Sequence, residues 1–281
     1  MDIVSNGVRL HVADQGRGEP TLIFLHYWGG SSRTWRHVVA ALGAQFRSVA
    51  LDQRGWGRSQ APDSGYTLGD LADDAQGVVD TLGLDRYILV GHSMGGKVAQ
   101  LLASRRPVGL AGLVLVAPSP PSPLDMPLEV RLNMVSAYAD RDAILATVAQ
   151  VLTSKALGPD EVEAVIADSL CGARAAQAAW PLAASQEDIT AAVAAITVPT
   201  LVISGEDDRV DPPAVLEREL LPRIPHATLS LLPGIGHLSP LEAPGQIADL
   251  IRNFALSVKA AEVTSPAVGQ DLPACLETTS T

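Results

Sequence analysis

Leu89–Lys97 reads LVGHSMGGK: an apolar run ends in a His-Ser pair, with a glycine two residues to either side of the serine. Extended backwards, RYILVG (86–91) is a short continuous apolar run of the kind a fully covered parallel strand uses. Extended forwards, KVAQLLASRR (97–106) carries a helical pattern. Ser93 therefore falls on a tight turn between a strand and a helix. Gly91 and Gly95 suit such a turn, because strand and helix approach too closely there to leave room for side chains. The helix that begins at the turn aims backbone N–H groups at it, which favours negative charge nearby. A glycine-rich turn with an ordinary capping serine is the plainer alternative. The strand before it and the helix after it favour a nucleophile elbow, with the Ser93 hydroxyl exposed above a sheet.

The same kind of apolar run recurs as TLIFLH (21–26), RSVALD (47–52), GLVLVAP (112–118), TLVISG (200–205) and ATLSLLP (227–233). Helical patterns separate them at 34–44, 68–84 and 212–220. Strands that alternate with helices imply crossover connections, hence a mostly parallel sheet with helices on both faces, an α/β fold. Ser5-Asn6-Gly7 is turn chemistry between two short strands, so the sheet is expected to start with an antiparallel hairpin. Between Ser119 and about Ala195 no strand pattern occurs. The segment opens on Ser119-Pro120-Pro121-Ser122-Pro123 and continues in alanine-rich helical stretches, which predicts a helical cap inserted at 119–195. The core is then 1–118 together with 196–257, and the aperiodic residues 258–281 are expected to form a flexible tail.

Composition excludes several classes. The net charge of −11 opposes binding to nucleic acid, which requires clustered lysine and arginine. No apolar run reaches the roughly 18 residues of a membrane span, and MDIVSNGVRL lacks the pattern of a signal peptide. The two cysteines, Cys171 and Cys275, form neither a disulfide framework nor a metal-ligand spacing. A soluble cytoplasmic protein without metal is expected; its oligomeric state is left open.

A serine hydroxyl needs a base, and the base needs an acid to orient it. Only two histidines follow Ser93. His226 precedes the last apolar run and reads as a surface residue, whereas His237 follows it, at the carboxyl edge where catalytic groups of open α/β sheets gather. TLVIS leads into Gly205-Glu206-Asp207-Asp208-Arg209, a charge run that could simply be a solvated turn. Asp208 is the preferred acid. Asp207 is an alternative, and Asp125, beyond the GLVLVAP run, could reach the same histidine.

The chain resembles the α/β-hydrolase-fold serine hydrolases from about residue 3 to 257. LHYWGG is similar to the family's oxyanion loop, DQRGWGRS (52–59) to its glycine-rich turn, GHSMGGK to its elbow, and GEDDRVDP and PGIGHLSPLEAP to its acid and histidine segments. The resemblance places the acid on Asp208 and implies a cap after the strand that follows the elbow helix. It assigns the oxyanion hole to the backbone N–H groups of Met94 and Trp28, and gives Asp52 and Arg54 a bracing role. His26-Tyr27 departs from the family's usual His-Gly. Tyr27 is expected to pack inward, the alternative being a hydroxyl that assists the oxyanion. Tyr27, His92, Met126 and Trp180 are candidates to line the substrate pocket.

The implied reaction is carboxylesterase-like cleavage of a small ester through a Ser93–His237–Asp208 triad, with no cofactor. Lactonases, C–C bond hydrolases and perhydrolases share such a triad. A ligand-binding or signalling protein on the same fold is the alternative of another class.

Overall fold

The computed structural model describes residues 1–263. Among these, eight strands form one sheet: β1 (Asp2–Ser5), β2 (Val8–Gln15), β3 (Thr21–Leu25), β4 (Ser48–Leu51), β5 (Tyr87–His92), β6 (Leu110–Val116), β7 (Thr200–Gly205) and β8 (Thr228–Leu232). Their order is β1-β2-β4-β3-β5-β6-β7-β8. β1 pairs with β2, and β2 with β4, in antiparallel register; every later pairing is parallel. Asn6 and Gly7 both have positive φ, 47° and 74°, the conformation a two-residue hairpin loop demands.

Eleven α-helices surround the sheet among the described residues. α1 (Arg36–Leu42), α2 (Leu68–Thr81) and α3 (Met94–Ser104) join β3 to β4, β4 to β5 and β5 to β6 in turn. α4 (Leu128–Val135), α5 (Arg141–Thr147), α6 (Pro159–Cys171), α7 (Arg174–Leu182) and α8 (Thr190–Val193) all lie between β6 and β7. α9 (Pro213–Glu219) joins β7 to β8, and α10 (Ser239–Glu242) and α11 (Pro244–Val263) follow. Thr67 and Asp70 close a capping box at the start of α2, satisfying backbone groups on both sides of that boundary.

The continuous apolar runs have a plain physical cause: both sheet faces are covered. All residues of β3, β4, β5 and β7 are buried, and successive side chains supply opposite layers. In β5, Tyr87 and Leu89 pack with residues of α2 and α3. Ile88 and Val90 pack with Trp35 and with residues of α1 and α11.

The expected core boundary at 257 needs correction. α11 continues to Val263, and Val258 is only 5% exposed. The helical spacing Ile247, Ile251, Ala255, Val258 carries the buried face past 257, so the packed chain does not end there. The rest of the expected tail, 264–281 with Cys275, lies outside the described residues. No helix among the described residues is long and apolar enough to cross a membrane.

Candidate active site

Ser93 joins β5 to α3 with φ 52° and ψ −116°, a strained conformation for a residue with a side chain. Its surroundings hold it there. Its N–H donates to Val116 O (3.1 Å), and its carbonyl accepts from the N–H groups of Lys97 (3.1 Å) and Ser119 (3.2 Å). A Cβ on Gly91 would lie 2.4 Å from Gly95 O, and one on Gly95 2.5 Å from Leu25 O. The two elbow glycines are therefore required by close backbone approach.

His237 stands in the loop between β8 and α10, buried. Its Nε2 lies 2.9 Å from Ser93 Oγ and its Nδ1 2.9 Å from Asp208 Oδ2. A carboxylate only accepts, so Nδ1 carries the proton and Nε2 is free to take one from the serine. Asp208, also buried, is fixed through its other oxygen by the N–H groups of Val210 (2.8 Å) and Asp211 (3.0 Å). The structure thus brings together Ser93, His237 and Asp208. Asp125, Asp207 and His226 are exposed, and His226 Nε2 lies 2.8 Å from Val198 O, away from this cluster.

Burial pushes the His237 imidazolium down. The charge of Asp208 and its hydrogen bond, with smaller help from Asp211 and Glu242, outweigh that and raise the group above an ordinary histidine. Asp211 was not foreseen. It is buried, accepts from Ser119 Oγ (3.2 Å), and burial raises its carboxyl to about 7. It sits in the quoted GEDDRVDP run, yet nothing in that run distinguishes a buried acid from a solvated one.

Glu242 was also missed. Its carboxylate accepts from Gly236 N (3.1 Å), Ser154 N (3.0 Å) and Lys155 N (3.0 Å), so it staples the loop before His237 to the segment between α5 and α6.

The loop after β3 is braced from several sides. His26, kept neutral chiefly by burial, donates from Nδ1 to Tyr27 O (2.7 Å) and accepts Gln53 N–H at Nε2 (3.0 Å). Asp52 accepts from Ser32 N (2.7 Å) and Arg58 N (2.8 Å), and Arg54 forms a bidentate pair with Asp74 (2.6 Å each). The bracing expected of Asp52 and Arg54 is visible in these bonds. Tyr138 OH donates to Trp28 O (2.8 Å), and Trp28 Nε1 to Gln177 O (3.1 Å). The backbone N–H groups of Trp28 and of Met94, first residue of α3, have no hydrogen-bond partner among the described residues.

A cavity of ≈ 350 Å³ opens onto Ser93 and His237, and Tyr27, Trp28, Met126 and Trp180 line it. His92 does not, which corrects the expectation for that residue. It is 0% exposed and shares the β5 parity of Ile88 and Val90, so its ring lies among Trp35, Tyr27 and His237 beneath the cavity. Tyr27 is nearly buried too. Its ring stands 5.2 Å from that of His92 and packs where a Cβ on Gly30 would fall, while its hydroxyl has no hydrogen bond among the described residues. No group of three or more His, Cys, Asp or Glu side chains suited to a metal occurs among them either.

The sheet order, the strained turn and the helices on both faces define an α/β-hydrolase-fold serine hydrolase. Residues 17–243 match the family described as serine aminopeptidase S33 (Hydrolase_4), and the chain belongs to that family. It is 31% identical over 270 residues to the non-heme haloperoxidase of Rhodococcus erythropolis, spanning 88% of this chain and 96% of the relative. It is 30% identical over 260 residues to the AB hydrolase superfamily protein YisY of Bacillus subtilis (strain 168), spanning 89% and 96%. A thermophilic esterase from Thermogutta terrifontis has a similar solved structure, with a TM-score of 0.81, 27% identity, and coverage of 92% of this chain and 98% of that one.

Proposed function

We propose that the protein cleaves small carboxylic esters through an acyl-enzyme formed on Ser93. The observation that carries the reading is the unbroken chain Ser93 Oγ–His237–Asp208, with 2.9 Å at each link. His237 Nε2 takes the serine proton as Oγ attacks the ester carbonyl carbon. The carbonyl oxygen becomes an oxyanion that the unpaired N–H groups of Met94 and Trp28 stabilise. As the tetrahedral intermediate collapses, the ester C–O bond breaks and His237 returns the proton to the leaving alkoxide. Water then repeats the sequence against the acyl-enzyme, releasing the acid and restoring Ser93. Asp208 holds the Nδ1–H tautomer throughout.

The helical insertion acts as the cap, since Met126 and Trp180 from it line the same cavity as Ser93. At ≈ 350 Å³ the cavity lies at the low end of the roughly 300–1,000 Å³ common for small-molecule sites. Turnover of a p-nitrophenyl ester series tests the reading: acetate to hexanoate is cleaved well, and long-chain triglyceride emulsions are not. Absence of turnover across esters and lactones would favour a ligand-binding protein instead. The haloperoxidase relative favours one second reading, in which hydrogen peroxide takes the acyl group in place of water and yields a peracid. Peracid release from an acetate ester in peroxide would establish it.

Asp208→Asn is expected to lower kcat by about 10⁴-fold, because the imidazole loses its enforced tautomer. The pH profile separates this from misfolding. His237 must be neutral to act, so activity rises as pH climbs through its elevated pKa. Removing the Asp208 charge shifts that limb to lower pH. Asp125→Asn and Asp207→Asn, at exposed positions, leave both rate and limb within a few-fold of the parent.

Tyr27→Phe keeps the packed ring and is expected to leave kcat and kcat/KM within a few-fold. A drop near the roughly 10²-fold typical of a lost oxyanion donor would place the phenol in the oxyanion hole.

A further inference from the structure

We infer that His92 is a positioning residue whose Nε2–H, donated to the backbone carbonyl of His237, ties the loop bearing the base to the strand bearing the nucleophile. The inference rests on the Ser93–His237–Asp208 reading proposed above.

His92 ends β5 and immediately precedes Ser93. Its Nε2 lies 2.8 Å from His237 O. A carbonyl can only accept, so the proton sits on Nε2 and Nδ1 is bare. Nδ1 is buried with no hydrogen-bond partner among the described residues. A buried imidazole with one nitrogen that no protein group pairs is a poor choice for packing alone, since an apolar residue of that shape leaves nothing unpaired. What an apolar residue cannot supply is the donor.

The topology explains why the donor matters. His237 follows β8, separated from β5 by β6 and β7. Its side-chain bonds to Asp208 and Ser93 fix the ring, but they do not anchor its backbone. Glu242 holds the preceding N–H, at Gly236, from the side of α10. His92 holds the His237 carbonyl from β5 itself, one residue from the serine. The ring is wedged in place, 5.3 Å from the His237 ring, 5.2 Å from Tyr27 and 6.1 Å edge-on from Trp35. Burial above all, then the neighbouring charge of His237 and to a smaller degree that of His26, keeps His92 well below the ordinary histidine range. It therefore stays a neutral donor while His237 gains and loses its proton.

The test pairs two variants with a measurement on the unaltered protein. His92→Phe keeps the ring and loses the donor. His92→Gln offers an amide N–H near the position of Nε2. A shift of about 1 Å in a reacting group can cost 10²-fold, so the Phe variant is expected to lose roughly 10- to 100-fold in kcat with KM and melting temperature little changed. The Gln variant recovers most of that loss. A Phe variant within twofold of the parent, or a Gln variant no better than Phe, overturns the inference.

Should the Phe variant fail to fold, ¹⁵N NMR of the parent decides. The histidine signal absent from the His92→Gln spectrum is expected to be the neutral Nε2–H tautomer across the range in which His237 titrates. An Nδ1–H tautomer, or titration with His237, overturns it. Because the tautomer is read without turnover, failure of this inference is distinguishable from failure of the esterase reading.

Discussion

Ser93→Ala is expected to lower kcat on a short p-nitrophenyl ester by roughly 10⁵- to 10⁶-fold and to leave the fold intact. Alanine retains the Cβ, so the strain at φ 52° is neither relieved nor increased. The hydrogen bonds that hold the turn, to Val116, Lys97 and Ser119, use the backbone of residue 93 and survive the change. The serine hydroxyl has its hydrogen bond to His237, and its loss removes the nucleophile without leaving a buried carboxylate unpaired. Residual turnover reflects only substrate held beside the Met94 and Trp28 N–H groups. A variant that keeps more than about a tenth of kcat, at unchanged circular dichroism, places the nucleophile elsewhere.

His237→Ala is expected to be nearly as severe, because an unactivated hydroxyl is a weak nucleophile at neutral pH. In the proposed mechanism nucleophile and base work as a unit, so the Ser93→Ala/His237→Ala double variant is expected to lose no more than either single one. The two changes differ in stability. Removing the imidazole leaves the buried Asp208 carboxylate with only the N–H groups of Val210 and Asp211, and vacates the space beside His92. His237→Ala therefore melts below the parent, whereas Ser93→Ala does not. His226→Ala, at an exposed position, changes neither rate nor melting temperature appreciably.

What the residues reveal in advance follows from where the physics is local. A strand covered on both faces must be apolar at every position, so β3, β5 and β7 are visible as runs. The elbow is visible because two glycines are forced by close approach within five residues of chain. The choice among Asp208, Asp207 and Asp125 is not local. It depends on which carboxylate the fold buries, and only packing decides that. His92 was misassigned for the same reason. Expected at the pocket, it shares the strand parity of Ile88 and Val90 and stands edge-on to Trp35 instead.

Longer-range devices leave still less trace. Glu242 reaches Ser154, 88 positions away, and Tyr138 reaches Trp28 across 110. In both cases one partner is a backbone group, which has no residue type to recognise. The extension of α11 past 257 was hidden differently: one valine in a stretch of small and polar residues carries the buried face onward.

The most direct measurement of the proposed chemistry is covalent capture of the nucleophile. Incubation with diethyl p-nitrophenyl phosphate, followed by intact and peptide mass spectrometry, is expected to show one diethylphosphoryl group per chain. It should sit on the peptide that contains Ser93, grow in step with the loss of esterase activity, and be absent from Ser93→Ala. A single adduct on a different serine, or full inactivation with Ser93 unmodified, would contradict the assignment.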